Sequence, residues 1–324
     1  MNCVSQMSSR FHFKEEIDKD LNIIRKGQLN TCNIKKSMIS DMPVTYITFD
    51  NLDKTGIVRQ AFSTRLGGVS QGEFTSMNLS FARNDDPAAV MENYRRFTAI
   101  IDCTPDDVVA SHQTHTTNVR KVSSADKGKG VTKEKDYSDI DGLITDESGV
   151  LLACFFADCV PLYFVDPVHH AIGLAHSGWR GTVDRMGQVT LNAMSRAFGT
   201  RPEDVQAAIG PSICQSCYEV SEEVAVAFSQ QFTPDEQLAE EYLGRYQQII
   251  TQTDINNCLL QDKGNGKYQL DLWYANYCVM REAGIPEAQI EVTDICTCCN
   301  PQFLFSHRAS HGRRGNLGAF LMLK

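Results

Sequence analysis

Apolar residues in this chain gather into short runs broken by polar or turn-forming clusters, and the lengths of those runs predict strands more often than helices. Val150-Leu-Leu-Ala-Cys-Phe-Phe156 is a continuous apolar stretch of strand length, and Val160-Pro-Leu-Tyr-Phe-Val165 is a second after a brief polar break. Ala171-Ile-Gly-Leu-Ala175 is a third, introduced by the turn residues Asp166-Pro167 and His169-His170. Val44-Thr-Tyr-Ile-Thr-Phe49 alternates in the manner of a half-buried strand. Helical spacing appears elsewhere. After Asp86-Pro87, a good N-cap and first-turn pair, Val90, Tyr94, Phe97 and Ile101 recur on one face and predict a helix over 87–101. A second helix is expected after Arg180-Gly181-Thr182, stopping at Gly199, a third over 221–232, and a fourth over 271–284 with Leu272, Ala275 and Val279 turned inward.

This irregular mixture predicts an α/β to α+β class: a single domain of mixed β-sheets flanked by helices. Residues 1–42 are polar and charged without a sustained period, and read as a loosely ordered extension ahead of a domain covering 43–324. The polar stretch from about 233 to 268 reads as a surface excursion, with Lys263-Gly-Asn-Gly-Lys267 as a hairpin turn.

Composition narrows the function. The 324 residues are 42% hydrophobic, enough for a large core, and 31 basic against 40 acidic side chains leave a net charge of −9. No long basic block is present, so neither nucleic acid nor an anionic membrane is an expected partner. The first twenty residues lack a signal-peptide core, and no window approaches the roughly 18 to 20 apolar residues that span a bilayer. A cytoplasmic protein with its twelve cysteines reduced is the expectation.

Three polar strings set beside the apolar runs carry the chemistry: Gln113-Thr114-His115, Ala157-Asp158-Cys159 and His176-Ser177-Gly178-Trp179-Arg180-Gly181. Two imidazoles and one thiolate, His115, His176 and Cys159, form a set that zinc uses when it keeps a fourth position open for reaction. The same donors make the equatorial plane of blue-copper sites, so ligand identity alone leaves copper open. Multicopper laccase chemistry needs paired His-x-His motifs, and the chain's eight histidines contain none. Without a metal, Cys159 with His176 or His115 as base would make a nucleophilic amidohydrolase. Arg180 and Gly181, where a strand should feed a helix, suit phosphate, and Arg65 beside Gly67-Gly68 is a second candidate. Cys214-x₂-Cys217 and Cys296-x-Cys298-Cys299 can supply a Cys₄ zinc site, but read this way the second group lacks standard spacing, and reduced core thiols are the favoured reading.

Ser63-Thr64-Arg65-Leu66-Gly67-Gly68, Gln113-x-His115, Asp141-Gly-Leu-Ile-Thr145, Ala157-Asp-Cys-Val-Pro161, Ala175-His-Ser-Gly-Trp-Arg-Gly181, Ile209-Gly-Pro211 and Cys217-Tyr-Glu-Val220 together resemble the YfiH-like laccase-domain family, in order and over about 44–324. The resemblance implies a fold related to cysteine hydrolases and a zinc-dependent purine nucleoside phosphorylase that splits adenosine, inosine or methylthioadenosine with phosphate. It also implies adenosine deaminase activity and, alternatively, peptidoglycan-precursor editing or copper-dependent phenol oxidation. The family's metal and catalytic positions fall on His115, Cys159 and His176; substrate and phosphate are assigned to Arg65, Arg180 and Gln113. The chain has no His-x-Glu of the cytidine-deaminase kind, so deamination would have to use another carboxylate, Asp141 or Asp158. Ser177 stands where the family often has Ala, and Phe303-Leu-Phe-Ser-His-Arg308 replaces its usual aromatic and Tyr-Arg-Arg pattern.

Overall fold

The computed structural model describes residues 20–27, 32–244 and 256–324. Two six-stranded mixed sheets form its centre. The first runs β1 (Cys32–Ile39), β2 (Met42–Phe49), β3 (Val58–Ser63), β15 (Leu317–Leu323), β7 (Leu151–Phe156), β4 (Val108–Ala110), with the short helix α1 (Asp50–Lys54) joining β2 to β3. The second runs β14 (Ile290–Val292), β10 (Gln206–Ile209), β8 (Val160–Asp166), β9 (Ala171–Ser177), β6 (Gly142–Thr145), β5 (Val119–Lys121). A small third sheet holds β11 (Glu219–Ser221), β13 (Lys267–Leu270) and β12 (Leu260–Gly264), with Asn265-Gly266 making the expected hairpin turn.

The continuous apolar strands are explained by burial on both faces. Leu152, Cys154 and Phe156 of β7 share a core with Tyr163, Val165, Ile172 and Leu174 of the second sheet, so the sheets pack on one another. The alternate residues Leu151 and Ala153 meet Val90, Tyr94 and Phe97 of α2 (Pro87–Ala99) on the outer side. Leu162 and Phe164 of β8 pack with Met186 and Met194 of α4 (Met186–Phe198) and Val279 of α7 (Leu272–Glu282). The layers are therefore helix, sheet, sheet, helix, a mixed α/β arrangement of the predicted class.

The predicted helices form with small differences. Asp86 caps α2 through its carboxylate, which accepts from Ala88 N at 2.9 Å. The helix expected after Thr182 begins at Met186: the short α3 (Trp179–Val183) precedes it and ends before Arg185, whose left-handed φ of 62° starts α4, and Gly199 closes α4 at φ 79°. The third is α5 (Glu222–Gln231). In α7 the expected inward residues are buried, but so is every position from Leu272 to Met280, because the helix is enclosed on all sides.

Two expectations are corrected. The stretch 233–268 is not wholly a surface excursion: α6 (Glu236–Leu243) buries Ala239, Tyr242 and Leu243, and Tyr242 Oη donates to Asp271 Oδ2 at 3.0 Å. Nor is the segment before residue 43 loose throughout, since that boundary falls within the β1–β2 hairpin, whose antiparallel register runs from Cys32 opposite Phe49 to Ile39 opposite Met42. Cys32 and Ile34 are buried, and the exposed Lys35-Lys36 pair that made the segment look polar belongs to an edge strand, where charge discourages further pairing. Upstream, Leu21 and Ile23 pack against the same core, and Arg25 Nη1 contacts both oxygens of the buried Asp294 at 2.8 and 2.9 Å. Residues 1–19 and 28–31 of the expected extension lie outside the described residues. Among the described residues, no helix is long and apolar enough to cross a membrane.

Removing the guanidinium takes away the ion pair that Arg25 makes with the buried Asp294 carboxylate. Arg25→Ala is expected to lower the unfolding free energy by about 3 kcal/mol, read from urea denaturation, whereas a segment outside the fold would give no measurable loss.

Candidate active site

His115, Cys159 and His176 arrive from three different elements. His115 sits in the loop between β4 and β5, Cys159 in the link between β7 and β8, and His176 near the end of β9. Their ligand atoms all lie within 4.8 Å of one another. Cys159 Sγ is 4.0 Å from His115 Nε2, and the two imidazoles meet edge to face with centroids 5.0 Å apart. His176 is 4% exposed, Cys159 partly buried and His115 exposed, so the group is walled on one side and open on the other.

The buried Asp141 carboxylate, just ahead of β6, holds this arrangement. Its oxygens accept from Thr114 N at 3.1 Å, His115 N at 3.2 Å, Thr116 N at 2.9 Å and Thr116 Oγ1 at 3.0 Å, and Oδ1 is 2.8 Å from His176 Nδ1. Burial alone would raise its pKa, but the His176 hydrogen bond and charge and the main-chain N–H groups leave it below the usual carboxylate value. A carboxylate accepts only, so Nδ1 of His176 carries the proton and its Nε2 is left as the donor atom toward the cleft. The chain is left-handed at His115, with φ 66°, a conformation uncommon for histidine, and the three successive amides bonded to Asp141 hold it there.

Cys159 follows another left-handed residue, Asp158, with φ 88°. Asp158 Oδ1 accepts from Thr297 Oγ1 at 2.6 Å, Oδ2 from Arg308 N at 2.7 Å, and its carbonyl from Ile213 N at 3.0 Å. Gly178 lies where a Cβ would come within 2.9 Å of His115 Cδ2 and 3.3 Å of Cys159 Sγ, so the glycine after Ser177 makes room for the two side chains. Burial pushes the Cys159 thiol up, but the His176 charge and hydrogen bonds from His115 and His176 outweigh it and bring the thiol down to about 6. Burial likewise lowers His176, yet the Cys159 charge and the bond to Asp141 raise it to about 9. In the absence of a cation both shifts favour a thiolate–imidazolium pair. One soft sulfur and two imidazoles, one of them anchored by a carboxylate, fit a zinc ion that would take the place of that proton.

The remaining predicted residues fare differently. Gln113 is turned into the fold: its Oε1 accepts from Phe155 N at 2.7 Å and Ser111 Oγ at 2.8 Å, and its Nε2 donates to Phe155 O at 2.7 Å. It fastens the His115 loop to β7. Arg65 donates through Nε to Thr75 O at 2.8 Å and through Nη1 to Pro301 O at 2.7 Å, and lies over Phe305 at 4.7 Å. These contacts make it a brace between two loops. Arg180 is exposed and stacked on Trp179 at 4.3 Å, near enough to Tyr218 for its charge to act there. Asp141 and Asp158, the carboxylates considered for deamination, are both engaged by the hydrogen bonds above.

Sequence reasoning missed a cationic wall. Burial and the like charge of Arg83 push Arg314 down to about 10, against the pull of Asp158 and Cys159, and its Nε is buried without a hydrogen-bond partner. Arg308 lies over the Tyr218 ring at 5.5 Å and donates to Cys217 O and Glu219 O. The signal was the density of His and Arg in His307-Arg-Ala-Ser-His-Gly-Arg-Arg314.

Comparison with known proteins resolves the family. The sequence pattern described as multi-copper polyphenol oxidoreductase laccase matches residues 59–324. The chain belongs to this YfiH-like laccase-domain family. Among similar members, the purine nucleoside phosphorylase YlmD of Bacillus subtilis is 34% identical over 264 residues, covering 81% of this chain and 87% of that one. Adenosine deaminase RL5, from an unknown prokaryotic organism, is 30% identical over 251 residues, covering 77% and 88%. The crystal structure of YlmD from Geobacillus stearothermophilus superposes with a TM-score of 0.75 at 29% identity, covering 93% of this chain and all, 100%, of that one. Among the described residues of this laccase-domain chain, two groups of side chains can hold a metal ion, the one described here and a cluster of cysteines.

Asp141→Asn keeps the shape but turns an acceptor into a donor toward three main-chain amides and His176. Metal affinity, measured by competition with a chromogenic chelator, is expected to fall by about ten- to a hundredfold or more. Gly178→Ala, which forces His115 aside, is expected to weaken the metal comparably without exposing the core; unchanged affinity in both would separate these residues from the site.

Proposed function

We propose that the protein is a zinc-dependent purine nucleoside phosphorylase that cleaves adenosine or inosine with phosphate to give the free base and ribose-1-phosphate, with methylthioadenosine as a further substrate. The observation that carries this reading is the convergence of His115, Cys159 and His176 on one point with an open side. These three residues hold the metal, which when bound supplies a Lewis acid that stabilises negative charge on a reacting oxygen. Asp141 keeps His176 in the tautomer that presents Nε2. Arg314, whose Nη1 donates to Gly315 O and Asn316 Oδ1 while its Nε is buried without a partner, and the exposed Arg180 supply positive charge for phosphate. Trp179 gives the apolar surface against which a purine can lie. Phosphate oxygen then forms the bond to C1′ as the bond to the base nitrogen breaks, and the proton that neutralises the base comes from solvent.

The relatives named for phosphorolysis and for adenosine deamination support a nucleoside substrate. One specific observation favours a second reading, a Cys–His amidohydrolase: the Cys159 thiol brought down to about 6 beside His176. Copper-dependent phenol oxidation rests on the family's name and on a donor set shared with copper sites. Cytoplasmic residence fits a nucleoside-processing role.

Ribose-1-phosphate is expected only when phosphate is present, and Cys159→Ala and His176→Ala should each lower kcat/KM by at least about a hundredfold. Metal-free protein that hydrolyses an amide, or turnover restored by copper and not zinc, would replace this reading. In protein stripped by chelator, Cys159 should be alkylated by iodoacetamide at a rate that climbs as pH rises through about 6, the value at which its thiol ionises, and added zinc should protect it.

A further inference from the structure

Behind the Cys159 turn a second set of soft donors converges. Cys214, Cys217, Cys296 and Cys299 place four sulfurs within 4.8 Å of one another. Cys217 Sγ is 3.5 Å and Cys214 Sγ 4.0 Å from Cys299 Sγ. Four thiolates bound to zinc at about 2.3 Å stand about 3.8 Å apart along the tetrahedron's edges. The distances bracket that value.

The sequence spacing is regular once Cys298 is set aside. Cys296-x₂-Cys299 then matches Cys214-x₂-Cys217, and the irregularity noted above came from counting the intervening Cys298 as a ligand. Turns hold both pairs: Cys217 N donates to Cys214 O at 3.0 Å, and Asn300 N donates to Thr297 O at 3.3 Å in the turn that follows Cys296 and carries Cys299. Two main-chain amides, of Cys214 and Cys299, aim at one sulfur, Cys296 Sγ, at 3.2 and 3.4 Å. A neutral thiol is a weak acceptor, so two amides converging on it suit an electron-rich thiolate. Ser216 Oγ lies 3.2 Å from Cys214 Sγ, and the Lys26 ammonium beside Cys214 and Cys299 offsets part of the negative charge that four thiolates keep after binding a dication. Cys296 and Cys214 are buried and the other two partly so, a closed setting with no obvious place for substrate.

We infer that Cys214, Cys217, Cys296 and Cys299 bind a structural zinc ion. Binding releases the thiol protons to solvent and makes four S–Zn bonds, with no change of oxidation state. The ion cross-links the turn before β11 to the turn after β14. Both turns support the active site: Ile213 N and Thr297 Oγ1 hold Asp158, the residue preceding Cys159, and Arg308 Nη1 bonds Cys217 O. The metal therefore acts as a rivet in the wall behind the catalytic thiol.

The test uses full-length protein purified under reducing conditions and analysed for metals. A His115→Ala/Cys159→Ala/His176→Ala variant, which has lost the open site, is expected to keep about one zinc per chain, and its cobalt-exchanged form to show the intense charge-transfer and ligand-field bands of a four-thiolate tetrahedral centre. Cys296→Ser in the otherwise intact chain should lose that zinc and keep the other. The inference is overturned by a triple variant without zinc, by cobalt bands of fewer thiolates, by iron in place of zinc, or by a Cys217–Cys299 disulfide in peptide mapping. Because the triple variant lacks the nucleoside site, its metal content reports on the cysteine cluster alone.

Discussion

The site depends on a charge that has been taken out of water. Asp141 is completely buried, and a carboxylate there persists only if its lone pairs are met. Three consecutive amides, one hydroxyl and one imidazole meet them, and the main chain of the same residue continues the stitching: its carbonyl accepts from His176 N at 2.8 Å and its amide donates to Asn118 O at 3.0 Å. One side chain thus fixes the left-handed bend at His115, the ring orientation of His176 and the spacing between them. The cost of burying the charge is offset by bonds that simultaneously organise the donor set.

The layered architecture explains why the three donors sit where they do. Strands buried on both faces have rigid ends, and β9 delivers His176 from such an end while the loops from β4 and β7 bring the other two donors alongside. The family's descriptive name points to multicopper oxidation, and named relatives point to nucleoside chemistry. A fold shared between such labels does not choose between them; the donor set and the cationic surroundings of Arg314 and Arg180 do more to distinguish them.

Much of this was legible in the residues, and the omissions have physical causes. The apolar runs at 150–156, 160–165 and 171–175 became β7, β8 and β9, because continuous hydrophobicity over strand length reports burial directly. The same pattern is silent about sheet membership, so nothing foretold that β7 and β8 belong to different sheets. β1 went unread because an edge strand carries lysines and only some of its side chains are buried. His115, Cys159 and His176 were legible from residue type and motif. The main-chain partners of Gln113 and Arg65 were not legible, because residue type says nothing of which carbonyls and amides will claim a polar group. The regular pairing of Cys214 and Cys217 with Cys296 and Cys299 was hidden by the neighbouring Cys298.

The link Ala157-Asp158-Cys159 passes from one six-stranded sheet to the other, whereas His176 belongs wholly to the second. Sulfur and imidazole are consequently anchored to bodies whose relative position is set by the apolar filling between them, including Phe156, Tyr163 and Leu174. Slippage of one layer over its neighbour would open the donor triangle before any strand came apart. Residues remote from the chemistry therefore tune it through the thickness of the sandwich, and the molecule's mechanical stiffness and its grip on a cation are two expressions of the same packing.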